Sequence, residues 1–523
     1  MPGIKLLRVP LIGPMGAAIF FLLPALVCAQ TSAKKTAVAA GTPEQRATRA
    51  YEAARTNPLE LEAFLRRMPK GADLHYHQTG GIYAESWIRE GAEDGLCVDL
   101  ASHAFAAAQP VCGAGQVGAA QAFSNQNLYD ALVNSFSMRN FVPTSGTSAR
   151  DHFFDTFGKF AGTSNRHSGE WLDEIASRAA AQNEQYLEII LLADFSHTMR
   201  IAKEIGWRND LSLLRDALLA HGLRDDVAVA RADRDGAEAS RRALEHCGTP
   251  EEMPACKITI RYTYLILRDF PKEQVFAQAL LGFEIGSADP RFVGLTYVQP
   301  EDNTIPMADY VLQMKFIDFL HGLYPKPHIN LHAGELAPGL VPPEGLCCHI
   351  RLAVEMAHSE RIGHGVDVMY EDRPVDLLKE MAAKHVMVEI NFTSNDVILG
   401  VKGKDHPFPI YRKFHVPVAL STDDEGVSRI DLTHEYVRAA ESYALSYADL
   451  KELVRAGLEH AFLPGASLWR EPDAFTRTAA ACAPDAPGAA KPSTACAAFL
   501  EASEKAKQQW ELERRFREFE GGF

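Results

Sequence analysis

Eight short runs rich in β-branched and aromatic residues recur along this chain, and helical periodicity fills the intervals between them. The runs are ADLHYH at 72, YLEIILLA at 186, KITIRYTYLIL at 257, FVGLTYVQ at 292, HINLHAGE at 328, RIGHG at 361, VMVEINFTS at 386 and VPVALSTDD at 416. Segments such as MADYVLQMKFIDFLHGL and PVDLLKEMAAKHV stand between them, with apolar residues returning at helical spacing. Alternation of strand and helix is the signature of a parallel sheet, because each crossover must carry the chain back to the same end of the sheet. Eight such units predict an α/β fold, the (β/α)8 TIM barrel.

The spacing sets the domain organisation. Residues 68–470 hold the barrel, and about 108 residues separate His77 from Tyr186, far more than one crossover needs. An inserted, partly helical lobe at about 95–150 is expected there. Residues 30–67 read as a flexible leader running into one N-terminal helix from about Pro43 to Arg67. Residues 471–523 read as an Ala/Pro-rich segment and a charged C-terminal helix, either packed on the barrel as an appendage or partly disordered.

Residues 1–29 have the layout of a secretory signal peptide. Lys5 and Arg8 precede an apolar run from about Leu11 to Val27, and ALVCAQ offers small residues for cleavage after Ala29. An exported protein, periplasmic or secreted, without a stable membrane anchor is the expectation. Pro10, Pro14 and Pro24 disfavour a spanning helix, and Val27 is a poor neighbour for lipid attachment at Cys28. Export permits disulfides, and sequence-local pairing predicts Cys97 with Cys112, Cys247 with Cys256, and Cys482 with Cys496. Cys347 and Cys348 are left over, as buried free thiols or at most a labile pair. A formal net charge of -15 argues against nucleic acid as a partner; an oligomer is compatible with everything in the chain.

Reacting groups in such a barrel sit where strands end. His75 and His77 close the first run, His332 and Glu335 the fifth, His364 the sixth, and Asp423 and Asp424 the eighth. Side chains at i and i+2 of a strand share a face, so His75 and His77 present two imidazoles together. Histidines and a carboxylate from several strands, converging on one mouth, suit one zinc ion per chain with an open position. Glu335, just beyond its strand, could donate a proton; His364 could orient or deprotonate a water; Asp424 could hold a heterocycle nitrogen.

PKGADLHYH, LHAGE, RIGHG and STDD, in that order, resemble the motifs of the adenosine and AMP deaminase family of metal-dependent hydrolases. The resemblance covers roughly residues 68–470, and a signal peptide, a long interval after strand one and cysteine pairs are more loosely similar to the secreted adenosine deaminase growth factor branch. It implies that His75, His77, His332 and Asp423 bind zinc, that Glu335 protonates purine nitrogen one, that His364 assists the water attacking carbon six, and that Asp424 holds nitrogen seven. The implied reaction is hydrolytic deamination of adenosine, and of 2'-deoxyadenosine, to inosine and ammonia.

Three positions depart from the family pattern. Thr79, after Gln78, stands where an aspartate commonly meets the ribose hydroxyl. Gln299 in YVQPED stands where a glycine commonly lies against the purine, and Glu425 replaces the proline of the usual DDP. The substrate contacts expected from this stretch are therefore Asp424, Thr79 and Gln299. Rival readings are deamination of another adenine nucleoside or nucleotide, a different amidohydrolase, or an extracellular nucleoside-binding or signalling protein. FVGLTYVQPED holds no lysine for a binuclear site, and Arg429 is the cation nearest the STDD motif for a phosphate.

Overall fold

The computed structural model describes residues 41–523; the signal-peptide expectation for residues 1–29 lies outside the described residues. Every sequence run forms a strand: β1 (Gly71–His77), β2 (Glu184–Leu191), β3 (Thr259–Leu267), β4 (Phe292–Val298), β5 (His328–Ala333), β6 (Arg361–His364), β7 (Met387–Ile390) and β8 (Val418–Leu420). All neighbours pair in parallel, in chain order, within one eight-stranded sheet. The seam between β1 and β8 is closed just past β8, where Tyr76 pairs with Asp423. There the His77 amide donates to the Asp423 carbonyl at 3.0 Å, and the Asp423 amide to the His75 carbonyl at 2.9 Å. The fold is a (β/α)8 barrel, closed through the residues expected to hold a metal.

β2 and β4 are buried along their whole length, as strands covered by helices outside and packed side chains inside must be. β7 is shorter than the run VMVEINFTS predicts. It ends at Ile390, and a helix spans Phe392–Leu399. Buried Glu435 accepts the Thr393 amide at 3.2 Å, so a long-range acceptor overrides the local strand preference of NFT.

The N-terminal extension is two helices where the sequence predicted one, Pro43–Ala54 and Pro58–Arg67. Pro58 cannot continue a helix, and Asn57 caps the second one by accepting the Leu59 amide at 2.9 Å. The C-terminal segment is likewise helical in two pieces, Thr494–Ala502 and Glu504–Gly521, with Ser503 capping the second. Both extensions pack on the barrel: Lys451, in the helix Tyr447–His460, bridges Glu44 at 2.8 Å and Glu520 at 2.7 Å.

The insertion after β1 contains more than helix. Three short antiparallel strands, Cys97–Asp99, Ala104–Ala106 and Gln116–Gly118, precede helices Gln126–Ser135 and Ala149–Lys159. The last of these, started by a Ser148/Asp151 capping box, lies across the helix that follows β7. Cys97–Cys112, Cys247–Cys256 and Cys482–Cys496 are disulfide-bonded, with Cα separations of 5.7, 5.5 and 4.5 Å. Cys347 and Cys348 are half-buried and bonded to each other, so of the two expectations the pair is found and the buried free thiols are not.

Candidate active site

His75, His77, His332, His364, Asp423 and Asp424 gather at the strand ends around one point. His77 Nε2 lies 3.2 Å from His332 Nε2 and 3.2 Å from Asp423 Oδ1, and His75 Nε2 lies 3.5 Å from the same oxygen. Ligands about 2.0–2.1 Å from a tetrahedral zinc stand about 3.3–3.4 Å apart, so this spacing suits a tetrahedral divalent-metal site. The Nε2 atoms of His75 and His364 are buried without a hydrogen-bond partner, a costly arrangement unless something is bound between them. The donor set fits a divalent cation of borderline softness.

The outward nitrogens are held. His75 Nδ1 lies 2.6 Å from Glu389 Oε2 on β7, and His332 Nδ1 lies 2.9 Å from Thr296 Oγ1 on β4. Arg361 at the start of β6 backs Glu389 at 2.7 Å and reaches Glu188 at 2.6 Å. Such partners fix the tautomer that leaves Nε2 free to ligate. Burial and the neighbouring histidines hold His332 well below the ordinary imidazole range, and burial holds His77 down to about 3, so both keep a lone pair. Burial opposes ionisation of Asp423, yet the adjacent His75 imidazole and the surrounding histidine charges hold it below the usual carboxylate range.

Glu335 is buried in the loop after β5, and burial, with the charges of Asp423 and Glu301 adding, pushes its carboxyl up to about 7. It is therefore half protonated near neutrality. Glu301, beyond β4, accepts the Gly334 amide at 3.1 Å and the Glu335 amide at 2.8 Å, and is paired with His349 Nδ1 at 2.5 Å. His364 Nδ1 stands 2.9 Å from Asn395 Oδ1 and 3.7 Å from Glu335 Oε1. Burial and adjacent Asp423 push Asp424 well above its ordinary value, and its Oδ1 is without a partner. Gln299, His364 and Asp423 all have positive φ, of 82°, 71° and 64°. All three are thus held in the left-handed region where β4, β6 and β8 turn their side chains to the mouth.

These groups open into a cavity of about 460 Å³. Thr79, in the short helix Gln78–Gly81, is exposed at its edge, and Gln299 lines it while accepting the Asp269 amide at 2.9 Å. Phe153, Phe154 and Phe157 of the insertion helix form an apolar wall with Leu267 and Ile398. An adjoining cleft of about 860 Å³ shares Gln78 and Thr79 but is lined by no histidine among the described residues. Sequence reasoning passed over Glu389 and Asn395. A charged residue inside the apolar VMVEI was a signal for the first, since an isolated buried carboxylate is not tolerated; Asn395 had none.

A family model described as adenosine deaminase matches residues 239–468. That stretch is similar to adenosine deaminase domains. It runs from the helix before β3 through β8 and beyond, and so contains His332, Glu335, His364, Asp423 and Asp424, while His75 and His77 precede it. Adenosine deaminase of Clostridium perfringens is 33% identical over 135 residues, 26% of this chain and 37% of that protein. Adenosine deaminase of Escherichia coli is 36% identical over 137 residues, 26% of this chain and 38% of that protein. The matched part therefore spans little more than a third of these relatives.

Solved structures share the barrel around the domain. Adenine deaminase from Arthrobacter aurescens superposes with a TM-score of 0.50 at 17% identity, covering 76% of this chain and 94% of that one. Arabidopsis ADAL complexed with IMP gives 0.51 at 18%, covering 76% and 93%. An amidohydrolase from Burkhoderia ambifaria with bound Zn gives 0.51 at 14%, covering 77% and 88%. At such identity the likeness is one of fold.

Proposed function

We propose that this protein deaminates adenosine, and 2'-deoxyadenosine, hydrolytically to inosine and ammonia, using one zinc ion. The observation that carries this reading is the meeting, in one cavity, of His77, His332 and Asp423 with a carboxyl poised near neutrality and a buried Asp424 whose Oδ1 has no partner among the described residues. His75, His77, His332 and Asp423 would hold the zinc, which when bound lowers the pKa of water and so supplies a nucleophile at neutral pH. The likeness to a fold neighbour with bound Zn supports that choice of metal.

The chain's own groups divide the remaining work. Protonated Glu335 donates to purine nitrogen one as water adds to carbon six, which makes the ring carbon accept the nucleophile without building up negative charge. His364, steadied by Asn395, orients that water. Asp424, kept protonated by its surroundings, donates to nitrogen seven and fixes the ring's direction. The phenylalanine wall covers an apolar face of the substrate and limits entry of bulk water.

Free nucleoside is favoured over nucleotide. Among the described residues no lysine or arginine lines the cavity, and Arg429 is committed to Glu85 at 2.8 Å. A phosphate would enter without a cation to meet it. The names of some fold neighbours carry nucleotides, IMP for ADAL and N6-mAMP for an Arabidopsis deaminase, which makes the comparison worth running directly. The test is ultraviolet assay of the purified protein with adenosine, 2'-deoxyadenosine, AMP and N6-methyl-AMP, with and without chelator. Turnover of the nucleosides that chelation abolishes is the expected result. Turnover of the nucleotides alone, or of none, would overturn the reading.

A further inference from the structure

The position where this chain departs most in chemistry from the family pattern, Glu425, does not face the cavity. It is 2% exposed, and its carboxylate takes hydrogen bonds from three side chains. Oε2 accepts from Tyr76 Oη at 2.7 Å and from Arg178 Nη1 at 2.7 Å, and Oε1 accepts from Gln182 Nε2 at 3.2 Å. Arg178 comes from the helix Ser168–Ala181, outside the barrel. The same Nη1 donates to the Gly81 carbonyl at 2.9 Å, while Nη2 meets Glu174 at 2.5 Å and the guanidinium lies 4.4 Å over the Tyr83 ring.

These contacts join the two loops that flank the site. Tyr76 and Gly81 bracket the turn bearing His77 and Thr79, and Glu425 directly follows Asp423 and Asp424. The loops touch so closely that side chains are excluded between them. A Cβ on Gly80 would fall 1.6 Å from Asp424 Oδ1, and one on Gly426 would fall 2.2 Å from the Ile82 carbonyl. An ion pair buried at this junction makes little net contribution to stability, but removing one member strands the other in a dry place. Its use is then to fix geometry, because only one arrangement of the loops satisfies every donor.

We propose that Glu425 and Arg178 are a positioning pair that locks the loops after β1 and β8 together and thereby sets Asp424 against the purine. The pair touches neither substrate nor metal and acts through Gly80, Gly81 and the backbone of 423–426. The consequence for catalysis rests on the deaminase reading above; the locking of the loops does not.

Glu425→Gln keeps shape and removes the charge. With metal content unchanged, the KM for adenosine should rise roughly 10-fold while kcat falls much less, since Asp424 binds the ring in ground and transition states alike. In a double-mutant cycle, adding Glu425→Gln to Asp424→Asn should cost almost nothing more, because the pair acts through that carboxyl. Hydrogen exchange of the metal-loaded variant should quicken in residues 76–82 and 423–430 together. Arg178→Lys, which keeps a cation but loses the fork, should show the same pattern in milder form. Additive effects in the cycle, an unchanged KM, or faster exchange confined to 423–430 would overturn the proposal. If the wild-type protein deaminates no nucleoside, the function reading fails on its own and the exchange experiment still decides whether the pair locks the loops.

Discussion

Residues 41–238 and 239–468 build one barrel by different means. The second stretch is motif-dense, matches a family model and supplies the carboxylates and two of the histidines that crowd the centre. The first holds a single motif, ending in His75 and His77, and spends most of its length on the insertion and the helix carrying Arg178. Yet it provides the phenylalanine wall, the edge at Thr79 and one member of the loop-locking pair. Groups that meet the reacting atoms must be of fixed chemical type at fixed strand ends. Walls and supports need only the right shape and a satisfied hydrogen bond, which many sequences supply.

The sharpest way to break this division is to remove chemistry from the second stretch. On the proposed reading His332→Ala deletes a ligand, so zinc and activity should disappear together, checked by elemental analysis beside the assay. Retention of stoichiometric metal would move the centre elsewhere. Glu335→Gln should keep zinc and nucleoside binding but lower turnover by roughly 100- to 10,000-fold, the usual scale for a lost general acid.

The pH profile sharpens the same assignment. Glu335 must be protonated to donate, and with its carboxyl at about 7 the active fraction halves near that pH and then falls as pH rises. kcat/KM should be level on the acid side, down to where the metal ligands take up protons, and should drop about tenfold per pH unit well above 7. Glu335→Gln should erase that limb.

Changes in the first stretch should act on substrate preference more than on chemistry. Phe157→Ala and Phe154→Ala each remove apolar wall and should raise the KM for adenosine roughly 10-fold, with kcat and metal content little altered. A large fall in kcat would show that the wall also governs the catalytic geometry. The smallest effect on activity is expected from Cys97→Ser with Cys112→Ser. Opening a crosslink of sequence separation 15 should lower the stability of the lobe, by about 3 kcal/mol in the chain-entropy account, read by thermal melting, while turnover stays close to that of the parent.

What was legible in the chain follows from local periodicity. Period-two alternation placed His75 and His77 on one face of β1, β-branched runs located every barrel strand, and order along the chain put His332, Glu335, His364 and Asp423 at strand ends on one mouth. Short cysteine spacings likewise located three of the four bonded pairs, all outside the barrel. Errors fell where a distant partner or a single residue intervened: Pro58 split a helix, and Glu435 drew NFTS out of β7. The supports of the site were decided only in three dimensions. Glu389 reaches His75 across 314 positions and Arg178 reaches Glu425 across 247, whereas Glu301 holds the Glu335 amide across 34. No periodicity relates such pairs, because a hydrogen bond between elements depends on how the barrel closes, and closure is a property of the whole sheet.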